Sequence, residues 1–127
     1  GYVSTLLGRR RYMPDLRAKN YGLRAAAERE ATNAPLQGSA ADLMKLAMVR
    51  LDRSTTSAAF DAVMILQIHD ELVFEIPRSQ LDAFSRLVKY EMEHAMELSV
   101  PIEVTLKAGG NLYEIESFDL DEVAVEI

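Results

Sequence analysis

His69, Asp70 and Glu71 stand together between two apolar runs, and they are the residues of this chain best suited to chemistry. Neighbouring carboxylates offer hard oxygen donors to a divalent cation, and an imidazole adds a group that can hydrogen-bond and titrate. Before them, Val63 to Ile68 is rich in Val and Ile and too short for a typical helix, so it reads as a buried strand. After them, Leu72, Phe74 and Ile76 alternate with Glu71, Val73 and Glu75, the period of a strand with one buried face. The expected structure is a hairpin that turns tightly at His69-Asp70, where Asp tolerates the geometry. It would project an imidazole and one or two carboxylates from the end of a rigid sheet. Ordinary turn chemistry also explains an Asp at this place, and a solvated strand face explains Glu71 and Glu75. On residue type alone that second reading is the commoner one.

A second polar group lies on a helix. Leu23 to Asn33 is Ala-rich and helical by propensity. Pro35 breaks or kinks that helix, since it lacks an N–H and its ring clashes with the preceding turn. Helix resumes after Gly38, with Ser39 three residues ahead of Asp42 in the manner of a capping box. Leu43, Met44, Ala47, Met48 and Leu51 then form an apolar stripe. Arg29, Asn33 and Gln37 follow at i, i+4 and i+8, one face if the kink is mild. Amide donors on such a face can test the minor-groove acceptors, which lie at nearly the same place in every correct base pair. Arg29 can hold a phosphate. The competing reading makes Asn33 and Gln37 local caps around the proline break.

The other elements follow from turn signals. Tyr2 to Leu7 has strand character, and Gly8-Arg9 turns the chain into a second short strand before Pro14-Asp15 stops it. Arg53 to Asp61 reads as a polar connection into the hairpin. Pro77 ends the second hairpin strand, and Ser79 caps a long helix to Leu98 with an apolar face that includes Leu81, Phe84, Leu87, Val88 and Met92. His94 lies among Glu91, Glu93 and Glu97 there, and a solvated face is a better account of them than a metal site. Pro101 opens a strand over 102–106, and Gly109-Gly110-Asn111 turns the chain.

Among its 127 residues the chain has no Cys, which excludes disulfides and thiolate metal sites. No apolar stretch is long enough to span a bilayer and no signal-peptide pattern opens the sequence, so a cytoplasmic location is expected. The formal charge of −6 would argue against a polyanionic partner if it were evenly spread. It is not. Residues 1–30 carry seven basic residues against three acidic ones, and the remainder carries seven against seventeen. A basic arm of this kind can track phosphates while acids gather round metals or face water.

Gln67-Ile68-His69-Asp70-Glu71-Leu72-Val73-Phe74-Glu75 resembles the palm-domain carboxylate motif of family A DNA polymerases, the bacterial DNA polymerase I type. Ala27-Glu28-Arg29-Glu30-Ala31-Thr32-Asn33-Ala34-Pro35-Leu36-Gln37-Gly38-Ser39-Ala40-Ala41-Asp42 resembles the segment with which that family grips the primer–template duplex. Gly8-Arg9-Arg10-Arg11-Tyr12 is similar to the Gly-Arg-Arg segment that follows the fingers helices. The resemblance continues through Asn111-Leu112-Tyr113-Glu114 and so covers residues 1–114. It implies an α+β fold, with an antiparallel palm-type sheet whose catalytic β-hairpin packs against long helices. Residues 1–114 would be the carboxyl-terminal part of the palm, with the end of the fingers region at the start, and 115–127 an acidic tail.

The activity implied is template-directed DNA synthesis, nucleotidyl transfer from a dNTP to a primer 3′-hydroxyl with two Mg²⁺ ions. Asp70, Glu71 and His69 would be the catalytic residues, with Asp70 and Glu71 as metal ligands. Arg29, Asn33, Gln37, His69, Arg9 and Arg10 would contact primer–template DNA. The family's second catalytic Asp and its nucleotide-binding fingers helix are not recognisable in this sequence. The resemblance therefore implies one carboxylate from outside the chain, and an amino-terminal remainder of the polymerase acting in cis or as a separate subunit. The location implied is the nucleoid. A noncatalytic DNA-binding subunit and an inactive remnant stay open as alternatives.

Overall fold

The computed structural model describes residues 1–117, so the last ten residues of the expected acidic tail lie outside it. These residues form two compact units, Gly1–Lys45 and a second beginning at Leu46. The elements mix helix and strand, and the strands form three separate two-stranded antiparallel ladders rather than one sheet.

The first unit begins with strands β1 (Tyr2–Ser4) and β2 (Arg10–Tyr12), paired Tyr2 to Tyr12 and Ser4 to Arg10. Gly8 takes φ +83° in the connecting turn, a conformation that glycine adopts without strain. A 3-10 turn at Pro14–Arg17 leads to helix α1 (Tyr21–Ser57), whose first amides are met by Asn20 Oδ1 on Leu23.

Helix α1 corrects the expectation of a break at Pro35. It runs unbroken through the proline, although the ring leaves the Ala31 carbonyl without its intrahelical donor. Tertiary contacts compensate. Ala27 and Ala34 are buried, and Asp42 is held from the β1–β2 hairpin. Ser39 is therefore no cap: it lies mid-helix, and its Oγ accepts from the Leu6 amide at 3.0 Å.

The helix also outlasts the polar connection expected from Arg53 onward. It ends in a Schellman motif, with Phe60 N–H bonding the Thr55 carbonyl (3.1 Å) and Ala59 N–H the Thr56 carbonyl (3.2 Å). Ala59 supplies the left-handed residue at φ +55°.

The second unit holds a hairpin of β3 (Val63–Ile68) and β4 (Glu71–Glu75). Its core is Leu51, Phe84 and Val88, with Phe60, Met64, Leu72, Phe74 and Ile76 packed against them. Phe84 receives Phe60 and Phe74 edge-on at 5.4 and 5.1 Å between ring centroids. Burying a ring of this size contributes several kcal/mol at about 25 cal/mol per Å², and the edge-on geometry adds about 1 kcal/mol per pair.

The inward set Leu72, Phe74 and Ile76 is the one the alternation marks, but β3 is not the buried strand expected. Val63, Ile65, Leu66 and Ile68 are exposed. A bulge accounts for Leu66 and Ile68. Met64 pairs Phe74 and Leu66 pairs Val73, so Ile65 is an extra residue, and beyond it the side chains change faces.

A 3-10 turn at Arg78–Gln80 precedes helix α2 (Leu81–Glu93), which Ser79 does not cap and which stops short of Leu98. Arg50 satisfies its end, donating from Nη1 to the His94 carbonyl (2.7 Å) and from Nε to buried Glu91 (2.7 Å), which also accepts from Ser54 (2.9 Å). Burial pushes the Glu91 carboxyl up, but the Arg50 and Ser54 hydrogen bonds and the Arg50 charge outweigh it and hold it below the usual range.

The strand expected over 102–106 is not formed. Val104 instead donates its N–H to Glu93 (3.1 Å) and its carbonyl accepts from Lys89 (3.0 Å), an ion pair standing where a neighbouring strand would. The last ladder joins β5 (Lys107–Gly109) to β6 (Ile115–Ser117) across the Gly-Gly-Asn turn.

Candidate functional site

The β3–β4 hairpin is joined by two residues. Ile68 pairs Glu71, which leaves His69 and Asp70 as the whole turn. His69, not Asp70, takes the left-handed conformation at φ +50°. A non-glycine residue held there stores on the order of 1 kcal/mol or more of backbone strain, as residues at functional tips often do. Gln67 braces the turn by donating from Nε2 to the His69 carbonyl at 2.9 Å. The Ile65 bulge, four residues ahead, adds local twist that aims the tip.

His69, Asp70 and Glu71 are all exposed, and among the described residues their side chains make no hydrogen bond or ion pair. A turn Asp commonly bonds its own backbone. Asp70 does not, and its carboxylate is presented to solvent.

The donor set suits Mg²⁺, which binds through one or two carboxylates together with substrate phosphates rather than in an all-protein cage. Among the described residues there is no group of three or more His, Asp or Glu that could hold a metal ion unaided. Asp70 and Glu71 could therefore supply only part of a coordination sphere.

The other candidates lie in the first unit, each on α1 or the β1–β2 hairpin. Arg29, Asn33 and Gln37 are exposed on the unbroken helix, and among the described residues their side chains make no hydrogen bond or ion pair. Because the helix does not break, neither amide caps anything. Gln37 borders a pocket of about 70 Å³ with Val3, Thr5 and Arg9. That is far below the few hundred Å³ of a small-molecule site.

Arg9 and Arg10 part company. Arg9 donates from Nε to Asp42 (2.9 Å) and from Nη2 to the Gly38 carbonyl (3.2 Å), so its charge is matched within the chain. Arg10 faces outward. Arg11, on the inner side with Arg9, pairs with Glu30.

Sequence reasoning missed Thr5 and Asp42. Thr5 Oγ1 donates to Asp42 Oδ2 at 2.6 Å, and with Arg9 it seats the hairpin on the helix. The Thr5 hydrogen bond, with that of Arg9 and the Arg9 charge, holds the Asp42 carboxyl below its usual range against the effect of burial. Ser39 three residues before Asp42 gave a local explanation for both, which concealed the long-range one.

The model for DNA polymerase family A matches residues 1–114. The chain belongs to that family.

It is similar to the DNA polymerase I of Streptococcus pneumoniae serotype 4, 46% identical over 114 residues, which is 90% of this chain and 13% of that protein. The DNA polymerase I of Bacillus subtilis is 44% identical over 114 residues, with the same shares of each chain. A solved structure of the POL domain of Pol1 from M. smegmatis, in complex with DNA primer–template and dNTP, matches with a TM-score of 0.79 and 48% identity. That match covers 81% of this chain and 18% of the other. The chain thus spans about an eighth of the length of these DNA polymerase I relatives. Among the described residues no helix is long and apolar enough to cross a membrane.

Proposed function

We propose that this chain is the carboxyl-terminal palm portion of a DNA-directed DNA polymerase and takes part in template-directed transfer of a nucleotide from a dNTP to a primer 3′-hydroxyl. The observation that carries the reading is the free Asp70 carboxylate at the tip of a strained, braced hairpin, in a chain of this family. Primer–template DNA and a dNTP, present in the matching Pol1 structure, are the ligands proposed here.

Asp70 is the residue to hold Mg²⁺, with Glu71 beside it as a second ligand or a water-mediated one. Bound there, the ion would neutralise charge on the phosphates and act as a Lewis acid toward the reacting oxygens. His69, whose backbone carbonyl Gln67 holds, is the residue proposed to position the primer terminus. On this reading a further carboxylate, for a second ion, comes from the amino-terminal remainder of the polymerase, in cis or as a subunit.

On the helix, Arg29, Asn33 and Gln37 span about 12 Å at 1.5 Å per residue, three to four base pairs of duplex. Asn33 and Gln37 can each donate to a minor-groove acceptor whatever the sequence, and Arg29 can hold a phosphate. Correct pairing behind the growing end is inspected in this way, without sequence being read.

Single-turnover incorporation on primed template tests the reading. The 127-residue chain alone should give no template-dependent extension. Supplied with the amino-terminal part of a family A polymerase, it should extend, and Asp70→Asn should then lower kcat by about 10³-fold, the loss of about 4 kcal/mol of transition-state stabilisation. Glu75→Gln, farther along β4, should have little effect. Extension by the chain alone, or an unimpaired Asp70→Asn, would sink the proposal.

A further inference from the structure

The β1–β2 hairpin has two faces of different character. Val3, Thr5, Arg9 and Arg11 turn toward α1, where Thr5 and Arg9 meet Asp42 and Arg11 meets Glu30. Tyr2, Arg10 and Tyr12 occupy the other face, as the two-residue period of a strand requires. Tyr2 and Tyr12 are direct cross-strand partners with ring centroids 5.9 Å apart and planes at 63°. The Arg10 guanidinium lies over the Tyr2 ring, 4.5 Å from its centroid.

Both rings are open to solvent, Tyr2 at 50% and Tyr12 at 70%. A cross-strand aromatic pair can stabilise a hairpin. This hairpin is already seated by its inner face, through a buried carboxylate and an ion pair. The outer face therefore has no structural debt to settle, and it joins two aromatic planes to an outward cation with no acidic side chain among them.

Aromatic rings beside an arginine are what single-stranded nucleic acid uses for binding: bases stack on rings and on guanidinium planes, and the guanidinium N–H groups take the phosphate. We propose that Tyr2, Arg10 and Tyr12 form a stacking site for unpaired bases of a nucleic-acid strand. The proposal deepens the DNA-binding reading above and rests on it. It gives the first unit two separate contacts, the helix face for paired nucleotides and the hairpin face for unpaired ones. Neither ring was singled out by sequence reasoning, because an aromatic at a strand position reads first as core.

Fluorescence anisotropy with the 127-residue chain and two DNA probes tests this. One probe is a blunt hairpin duplex, and the other carries the same duplex with a 5′ single-stranded overhang. The overhang should tighten binding. The pair Tyr2→Ala and Tyr12→Ala should remove that gain, about tenfold, and leave affinity for the blunt probe unchanged. The pair Tyr2→Phe and Tyr12→Phe, which keeps the ring planes, should retain the gain and guards against a folding defect. Substituting Arg29, Asn33 and Gln37 by Ala should weaken the blunt probe and spare the overhang gain.

Binding to the blunt probe with no overhang gain, or a gain that survives both Ala substitutions, overturns the stacking site and assigns the face to protein contact. Failure of both probes to bind overturns the nucleic-acid reading itself.

Discussion

Thr5 and Asp42 lie 37 residues apart in sequence, and a 2.6 Å hydrogen bond joins them. That bond is the largest influence on the Asp42 carboxyl and keeps it ionised below the usual range. A carboxyl whose folded pKa is depressed stabilises the fold fully above its unfolded value, near 3.9. The contribution is lost as pH falls through the lower folded value. Asp42→Asn should therefore lower the melting temperature at neutral pH, and the gap from the parent chain should close as pH drops below about 4. Thermal melts across that range check it. A gap that stays constant with pH would mean that the Asp42 charge has no part in seating the hairpin.

Gly38 is where the hairpin comes closest to α1. A Cβ built there meets Thr5 Cγ2 at 2.6 Å and Arg9 Nη2 at 3.4 Å. Gly38→Ala gains about 1 kcal/mol of helix propensity. Against that stands overpacking of about 1–3 kcal/mol. The neighbour is a β-branched residue already tied to Asp42, so the clash should win. We expect net destabilisation of about 1 kcal/mol in urea melts. Adding Thr5→Ser removes the offending methyl and keeps the hydroxyl, and should turn the Ala substitution neutral or stabilising.

Ala59 should be improved by losing its methyl. At φ +55° it occupies the position after the helix cap where glycine is preferred, and an L-residue there costs about 1 kcal/mol. Ala59→Gly should raise stability by about 0.5–1 kcal/mol, measured by urea denaturation. A loss would show that the methyl packs usefully or that the Schellman turn does not form.

On the helix face, Asn33→Ala and Gln37→Ala should each leave the melting temperature nearly unchanged, because neither side chain has a partner among the described residues. In a completed polymerase both should weaken extension, with duplex affinity falling steeply as salt rises. Normal extension by both variants would refute the groove-facing assignment.

Much of this was legible in the sequence. The alternation of Leu72, Phe74 and Ile76 marked the buried face of β4, and Gly8 marked the first turn. What could not be read was tertiary. Pro35 is a reliable breaker only where nothing else holds the helix, and the contacts that hold it come from Thr5 and Arg9. The Ile65 bulge has no composition signal, yet it turns Leu66 and Ile68 outward. Val104 lies in a strand-like sequence, but a ladder needs a neighbour, and two side chains of α2 take that place. At the candidate site, the residue types and their order were visible. The unusual backbone of His69, and the division of labour between Arg9 and Arg10, were not.

The outward turn of β3 also governs how the purified chain will behave in a tube. Val63 to Ile68 contains no charge and no proline, and Val63, Ile65, Leu66 and Ile68 leave it greasy along its length. Edges that resist sticking carry lysine, proline or an inward-pointing charge, and this one has only its bulge. Colloidal behaviour should follow from that short strand rather than from the net charge of −6. Light scattering should rise with concentration, and a lysine at Ile65 should keep the solution clear.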